Sequence, residues 1–323
     1  MVKHINKYVR ISLLLTIWAA ESWTQLVGVP VRTEIGVGSR ATAMGKNYTA
    51  ISNDASALFW NPAGMAFNKA REIQVSFGGI KAYNQSTFKY NNTDNSTYYK
   101  NQRFKIENAG YLRALETTQG GFSFGLGYQC PYIFDVVLDY GGEYMDGPDR
   151  INMQNRYSAQ GQLDFWTGGF GVQIVQGLGM GVSLSLVTGW ENNNLFFKKM
   201  TNNTIQDREN HHYYDKITRT YKGYDIRLGF MYKPISGRSA FGLRLVLPST
   251  ISFNEEFSEE QPFSDNTIYK EELAGYLKSD YSGAFGISYS FPFMIISTEI
   301  KARAPHPSTD MFSEQQYWKM GAG

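Results

Sequence analysis

From Gly121 to Arg303 the chain repeats one unit. A run of about ten residues alternates apolar side chains with small or polar ones, and the connections between runs are alternately short and long. Tyr224, Ile226, Leu228, Phe230 and Tyr232 are apolar, with Asp225, Arg227, Gly229 and Met231 between them. Phe122, Phe124, Leu126 and Tyr128 alternate with Gly121, Ser123, Gly125 and Gly127, and Met294, Ile296 and Ile300 with Ser297, Glu299 and Lys301. Successive side chains on a strand point to opposite faces, so each run has one greasy face and one small or polar face. Regular long–short connections are what an up-and-down meander across a membrane produces. The expected fold is therefore all-β, a transmembrane antiparallel β-barrel of the outer-membrane type.

The expected strands lie near 71–83, 104–115, 120–131, 161–176, 179–191, 219–232, 239–253, 279–290 and 292–303, with another from about 316. The long links, expected as loops outside the cell, are 84–103, 132–160, 192–218, 254–278 and 304–315. Short turns belong to the periplasmic side. Trp166, Phe170, Val172, Ile174, Val182, Leu184, Leu186, Phe241, Leu243 and Leu245 are expected to face lipid. Asp225, Arg227, Arg244, Glu299 and Lys301 are expected in the lumen. An Arg or Lys on the lipid side at the midplane would cost about 2–4 kcal/mol, which gives the alternation its physical reason. A secreted β-sandwich also alternates, but its Greek-key links have less regular lengths.

The N-terminus indicates export. Lys3, His4, Lys7 and Arg10 precede an apolar stretch, Ile11–Ala20, that is shorter than the roughly 20 residues a helix needs to cross a bilayer. Residues 1–22 read as a signal peptide, with Ala20 and Ser22 at the cut. With a mean hydropathy of −0.37, a helical membrane protein is excluded. Aromatic residues reach 15% while charged ones are only 19%, a balance that suits aromatic girdles around a barrel. A net charge of +2 gives no electrostatic case for nucleic acid. Cys130 is the sole cysteine, so an intrachain disulfide is impossible.

Residues 23–70 do not read as strand. They are rich in Gly, Ala, Ser and Asn; Asn53–Trp60 has a capping residue, Asn53 or Asp54, before small helix formers, and breaks at Asn61-Pro62. A segment this small cannot bury its own core, and the lumen of a barrel is available to it. Residues 71–323 form the expected barrel, with an incomplete last strand that implies a truncated chain.

Other clusters carry less. Gly177-Leu-Gly179-Met-Gly181 lacks the following helix of a phosphate loop and reads as a hairpin turn. His211-His212 lie near Asp207, Glu209 and Asp215, but adjacent strand residues point opposite ways, so no metal is expected. Glu255, Glu256, Glu259 and Glu260 read as an acidic, solvated loop. No Ser/His/Asp or Cys/His arrangement suggests an enzyme, and no cofactor is expected.

The segment Gly36–Ala66 resembles the plug, or hatch, of the FadL-type long-chain fatty-acid and hydrophobic-compound transporters of bacterial outer membranes. The resemblance is carried by Gly38-Ser39-Arg40-Ala41, Ala43-Met44-Gly45, Asn53-Asp54-Ala55-Ser56-Ala57 and Asn61-Pro62-Ala63-Gly64. It covers about thirty residues closely and the rest only in architecture. PorV-like barrels of type IX secretion share much of the same phrase. The resemblance implies a monomer among outer-membrane lipids that takes up a hydrophobic small molecule passively. It implies that Asn61, Pro62, Ala63 and Gly64 hold the plug, and that Phe59 and Trp60 line a pocket or pack beside it. It also implies a kinked third strand that opens the wall sideways, for which Pro131 is the candidate. The PorV-like alternative implies a barrel for protein secretion or surface attachment.

Overall fold

The computed structural model describes residues 33–90, 93–118, 120–147, 149–201, 211–235, 237–260, 268–303 and 319–322. The expected signal peptide lies outside them. Among the described residues the strands form one antiparallel, curled 14-stranded sheet. In chain order they are β1 (Thr33–Glu34), β2 (Arg71–Tyr90), β3 (Thr93–Leu115), β4 (Phe122–Ile133), β5 (Val136–Asp146), β6 (Asp149–Val175) and β7 (Leu178–Thr201). Then follow β8 (His211–Tyr232), β9 (Ser239–Val246), β10 (Ser249–Glu260), β11 (Ile268–Ser279), β12 (Ser282–Ser290), β13 (Ile295–Arg303) and β14 (Lys319–Ala322). No described helix is long and apolar enough to cross a membrane.

Three wall strands are broken in the middle. Along β8, β9 pairs with one half (Phe241↔Tyr232 to Val246↔Arg227) and β10 with the other (Ile251↔Gly223 to Glu260↔Tyr214). The break falls at Leu247-Pro248, where proline has no N–H to give the ladder. β12 and β11 follow β9 and β10 in the same way, and β4 and β5 follow β6. Among the described residues β2 and β14 end the main strand path, and β5 and β11 each pair on one side only.

The long links are not loops. Most of 84–103, 132–160, 192–218 and 254–278 is strand, paired as hairpins that continue the wall. β6 has 27 residues and extends about 90 Å along its axis, far more than an apolar band about 25 Å tall requires. The acidic run Glu255–Glu260 belongs to β10, and the backbones of His211 and His212 belong to β8. Where both faces of a strand meet water, nothing enforces apolar alternation, so periodicity cannot detect it.

The outer face is apolar. Trp166, Phe170, Ile174, Leu184, Leu186, Phe241, Leu243 and Leu245 are exposed, and Val172 and Val182 are partly exposed. Register aligns them across strands, as in Trp166↔Leu186↔Tyr224 and Ile300↔Phe285↔Leu243↔Phe230. The opposite face buries Ser183, Ser185, Asp225, Arg227, Arg244 and Glu299.

Candidate functional site

The sheet curls around residues 33–70. This segment contains two short helices, α1 (Ser39–Ala43) and α2 (Ala57–Trp60), and a 3-10 turn, Pro62–Phe67. Asp54 accepts from the backbone N–H (3.0 Å) and hydroxyl (2.5 Å) of Ser56, so it orders the turn before α2 without capping the helix itself. Val37, Ala41, Tyr48, Ile51, Phe59 and Trp60 form a small buried core, and the Trp60 indole N–H donates to Val37 O at 2.8 Å. The core is completed by the wall. The segment meets β3 where Ala55 faces Gly110, β7 where the Ser183 hydroxyl donates to Leu58 O at 2.7 Å, and β13 where Glu299 accepts from the N–H groups of Tyr48 and Thr49, both at 3.0 Å.

Glycine makes the approach close. A Cβ added at Gly181 would lie 2.4 Å from the Pro62 carbonyl carbon, one at Gly229 2.1 Å from Asn61 Oδ1, and one at Gly242 2.2 Å from Thr49 O. These glycines sit on the lumenal side of the alternation, where a side chain would displace the segment. Gly177, with φ +86°, makes the β6–β7 turn, whereas Gly179 and Gly181 lie under the segment.

Asn61 joins segment to wall. Fully buried, it donates from Nδ2 to Thr49 O (2.7 Å) and to Phe230 O of β8 (3.1 Å), and its Oδ1 accepts from Ala63 N (3.1 Å). Pro62 follows at a position where a helical turn needs no N–H. Gly64 stands against Ser52, whose carbonyl oxygen would lie 1.6 Å from any Cβ.

A charged layer lies between segment and wall. Arg227 pairs with Asp225 (2.6 Å), donates to Phe59 O (2.6 Å) and lies 3.7 Å from the centroid of the Phe59 ring. Arg244 and Lys301 approach the Trp60 ring at 5.7 and 5.5 Å. Phe59 and Trp60 are thus both buried against wall cations. The wall brings more positive than negative charge here, and Glu34 of β1 opposes it. Burial pushes the Glu34 carboxyl up, but Lys301, Arg244, Lys46 and Arg227 together outweigh burial and hold it below the usual carboxylate range.

Next to Phe59 the inner wall turns apolar. Phe134, Leu163, Phe165, Val187, Tyr221 and Ile251 cluster with Tyr132, Phe253 and Leu277 on the inward faces of successive strands. The Phe59 ring meets Phe165 at 6.3 Å and Tyr132 at 6.5 Å between centroids. A polar network edges the cluster: Arg219 pairs with Glu255 (2.5 Å) and Glu191 (3.3 Å), Tyr221 donates to Glu191, and Arg103 pairs with Asp135 (2.7 Å).

The wall is interrupted beside this cluster. β3 pairs with β4 only from Leu115↔Phe122 to Asn108↔Gln129. Beyond Gln129 the β4 register shifts across Cys130-Pro131, and β1 takes the vacated edge through Glu34↔Tyr132 and Thr33↔Ile133. Ile35 N donates to Pro131 O at 2.9 Å. Farther along, the β2–β3 hairpin contacts β5 mainly through side chains, including Tyr90 Oη to Met145 O (2.9 Å) and Thr97 Oγ1 to Asp139 O (2.8 Å).

The Asn61–Gly64 run, Phe59 and Trp60 lie together at the segment–wall contact, while Pro131 lies at the interruption. The seat glycines were visible as glycines on the polar side of each strand. The Glu191–Arg219–Glu255 network left no such signal, because its residues come from three strands through long-range register.

No family model matches this chain, and no curated protein does. Two solved structures resemble it. One is the CymD monoaromatic hydrocarbon channel, at 15% identity and a TM-score of 0.48, over 83% of this chain and 69% of that one. The other is the Pseudomonas putida toluene transporter TodX, at 13% identity and a TM-score of 0.43, over 80% of this chain and 69% of that one.

Proposed function

We propose that this chain is an outer-membrane barrel for the passive uptake of hydrophobic small molecules, such as long-chain fatty acids, with residues 33–70 as a plug that gates the lumen. One observation carries the reading: an apolar cluster on the inside of a wall that is also apolar on its outside, with the N-terminal segment packed beside it. Apolar solutes gain nothing from a water-filled pore, but they gain about 25 cal/mol for each Å² of apolar surface buried in such a cluster. The gate acts through Asn61, Pro62, Ala63 and Gly64, the pocket opens beside Phe59 and Trp60, and the register shift at Pro131 marks a sideways exit. The barrel works as a monomer among outer-membrane lipids, with no cofactor, metal or catalysis.

The test is Asn61→Ala in the complete protein, which removes two donated hydrogen bonds and leaves buried acceptors at a cost of about 1–3 kcal/mol. Uptake of a long-chain apolar solute changes while the barrel stays heat-resistant on gels. Equal uptake with wild type, variant and no protein ends the transporter reading. The tall hairpins β5–β6, β7–β8 and β10–β11 favour a second reading, a PorV-like barrel for secretion or surface attachment. That reading gains if purified protein carries a protein partner and no extractable lipid.

A further inference from the structure

A cavity opens at the short-turn end of the wall, away from the apolar cluster. It has a volume of about 180 Å³ and lies between the N-terminal segment, the β8–β9 turn and the facing ends of β12 and β13. That is room for several water molecules. Three cations line it from separate places: Arg40 of α1, and Lys233 and Arg238 at the two ends of the β8–β9 turn. Ser239, Ser288 and Ser290 line the same space, with Ser288 and Ser290 on the inward side of β12. No carboxylate is among the lining residues, and among the described residues none of the three cations has an ion-pair partner.

Cations crowded together without a counter-charge repel one another. Arg40 is turned to Asn53 Oδ1 at 2.8 Å, and the Lys233 ammonium lies 4.8 Å from the centroid of the Phe67 ring. Both are neutral partners that leave the positive charge uncompensated. Burial, and secondly the charge of Arg40, push the Lys233 ammonium down to about 8. An anion in the cavity would relieve this strain, and guanidinium groups match the spacing of phosphate and carboxylate oxygens.

We propose that this cavity is a binding site for a phosphate-class oxyanion that joins the N-terminal segment to the turn end of the wall. Three cations converging from separate places suit a tetrahedral oxyanion, whose oxygens point in several directions, better than a planar carboxylate. Free phosphate and the headgroup of a phospholipid share this chemistry. The inference is independent of what crosses the lumen, because no residue of the apolar cluster takes part.

The test is calorimetric titration of the full chain in neutral-detergent micelles at low ionic strength, with inorganic phosphate in one arm and dihexanoyl phosphatidylglycerol in the other. Wild type is compared with Lys233→Met/Arg238→Gln, which leaves Arg40 and its bond to Asn53 intact, and heat-resistant migration on gels confirms folding of both. Saturable phosphate binding that weakens about tenfold or more in the double variant supports a site for the free anion. Saturation by the lipid alone, weakened in the same way, supports the site with a headgroup as its source. Failure of both ligands to saturate, or equal binding by the double variant, overturns the proposal.

Discussion

Adding one methyl group at Gly229 tests whether the segment's position is dictated by the wall. The new Cβ would lie 2.1 Å from Asn61 Oδ1 and 2.7 Å from Ala63 N, whereas ordinary contact begins near 3.4 Å. The segment has to retreat by about 1 Å. That retreat stretches the Asn61 Nδ2 to Phe230 O bond from 3.1 Å to beyond bonding range. Overpacking costs about 1–3 kcal/mol and the lost bond about 1 kcal/mol more. Gly229→Ala should therefore lower the ratio of seated to unseated segment by roughly 30- to 1,000-fold. Trypsin cleavage after Lys46 reads this population, because proteolysis of a transiently opened state follows its equilibrium when closing is fast. Gly79→Ala is the control, since a Cβ there meets nothing within 4 Å. Cleavage of Gly229→Ala at the wild-type rate, or equally fast cleavage of Gly79→Ala, would refute the reasoning.

Three further outcomes follow from the same geometry. Arg227→Met leaves Asp225 buried without its partner and should destabilise the protein by about 3–5 kcal/mol, seen as a lower melting point of the heat-modifiable gel band; adding Asp225→Asn should restore much of it. Leu184→Arg places a charge on the exposed apolar exterior and should cost about 2–4 kcal/mol in urea titrations in vesicles, whereas Glu256→Lys on a hairpin should change stability by less than about 0.5 kcal/mol. With Cys130 replaced by Ser, a cysteine at exposed Glu256 should react with an impermeant maleimide on intact cells; reaction only after the outer membrane is broken would invert the topology.

The membrane-height part of the wall was legible because two solvents impose two faces. Leu184 and Leu186 must suit lipid while Ser183 and Ser185 must suit the lumen, and that conflict is written as a period of two. The hairpins above were not legible, since Asn192, Asn193 and Asn194 can all be polar once water lies beyond the membrane. The Asn61-Pro62 break stood out as local chemistry, whereas the partner of Asn61, Phe230 O, is far along the chain and left no local mark. The place of β1 on β4 was equally hidden, because two residues are too few to show any period.

The segment touches the wall from β3 to β13, at many points through backbone. Where wall and contents touch this closely, there is little slack. The enclosed segment acts as a mandrel: its girth sets the curvature of the strands around it. Enlarging the segment must therefore widen the sheet or expel the segment, and shrinking it must leave a hole that water or solute fills. Residues 33–70 thus set the diameter of the structure that holds them, and changes in that segment and in the seat glycines have to occur together.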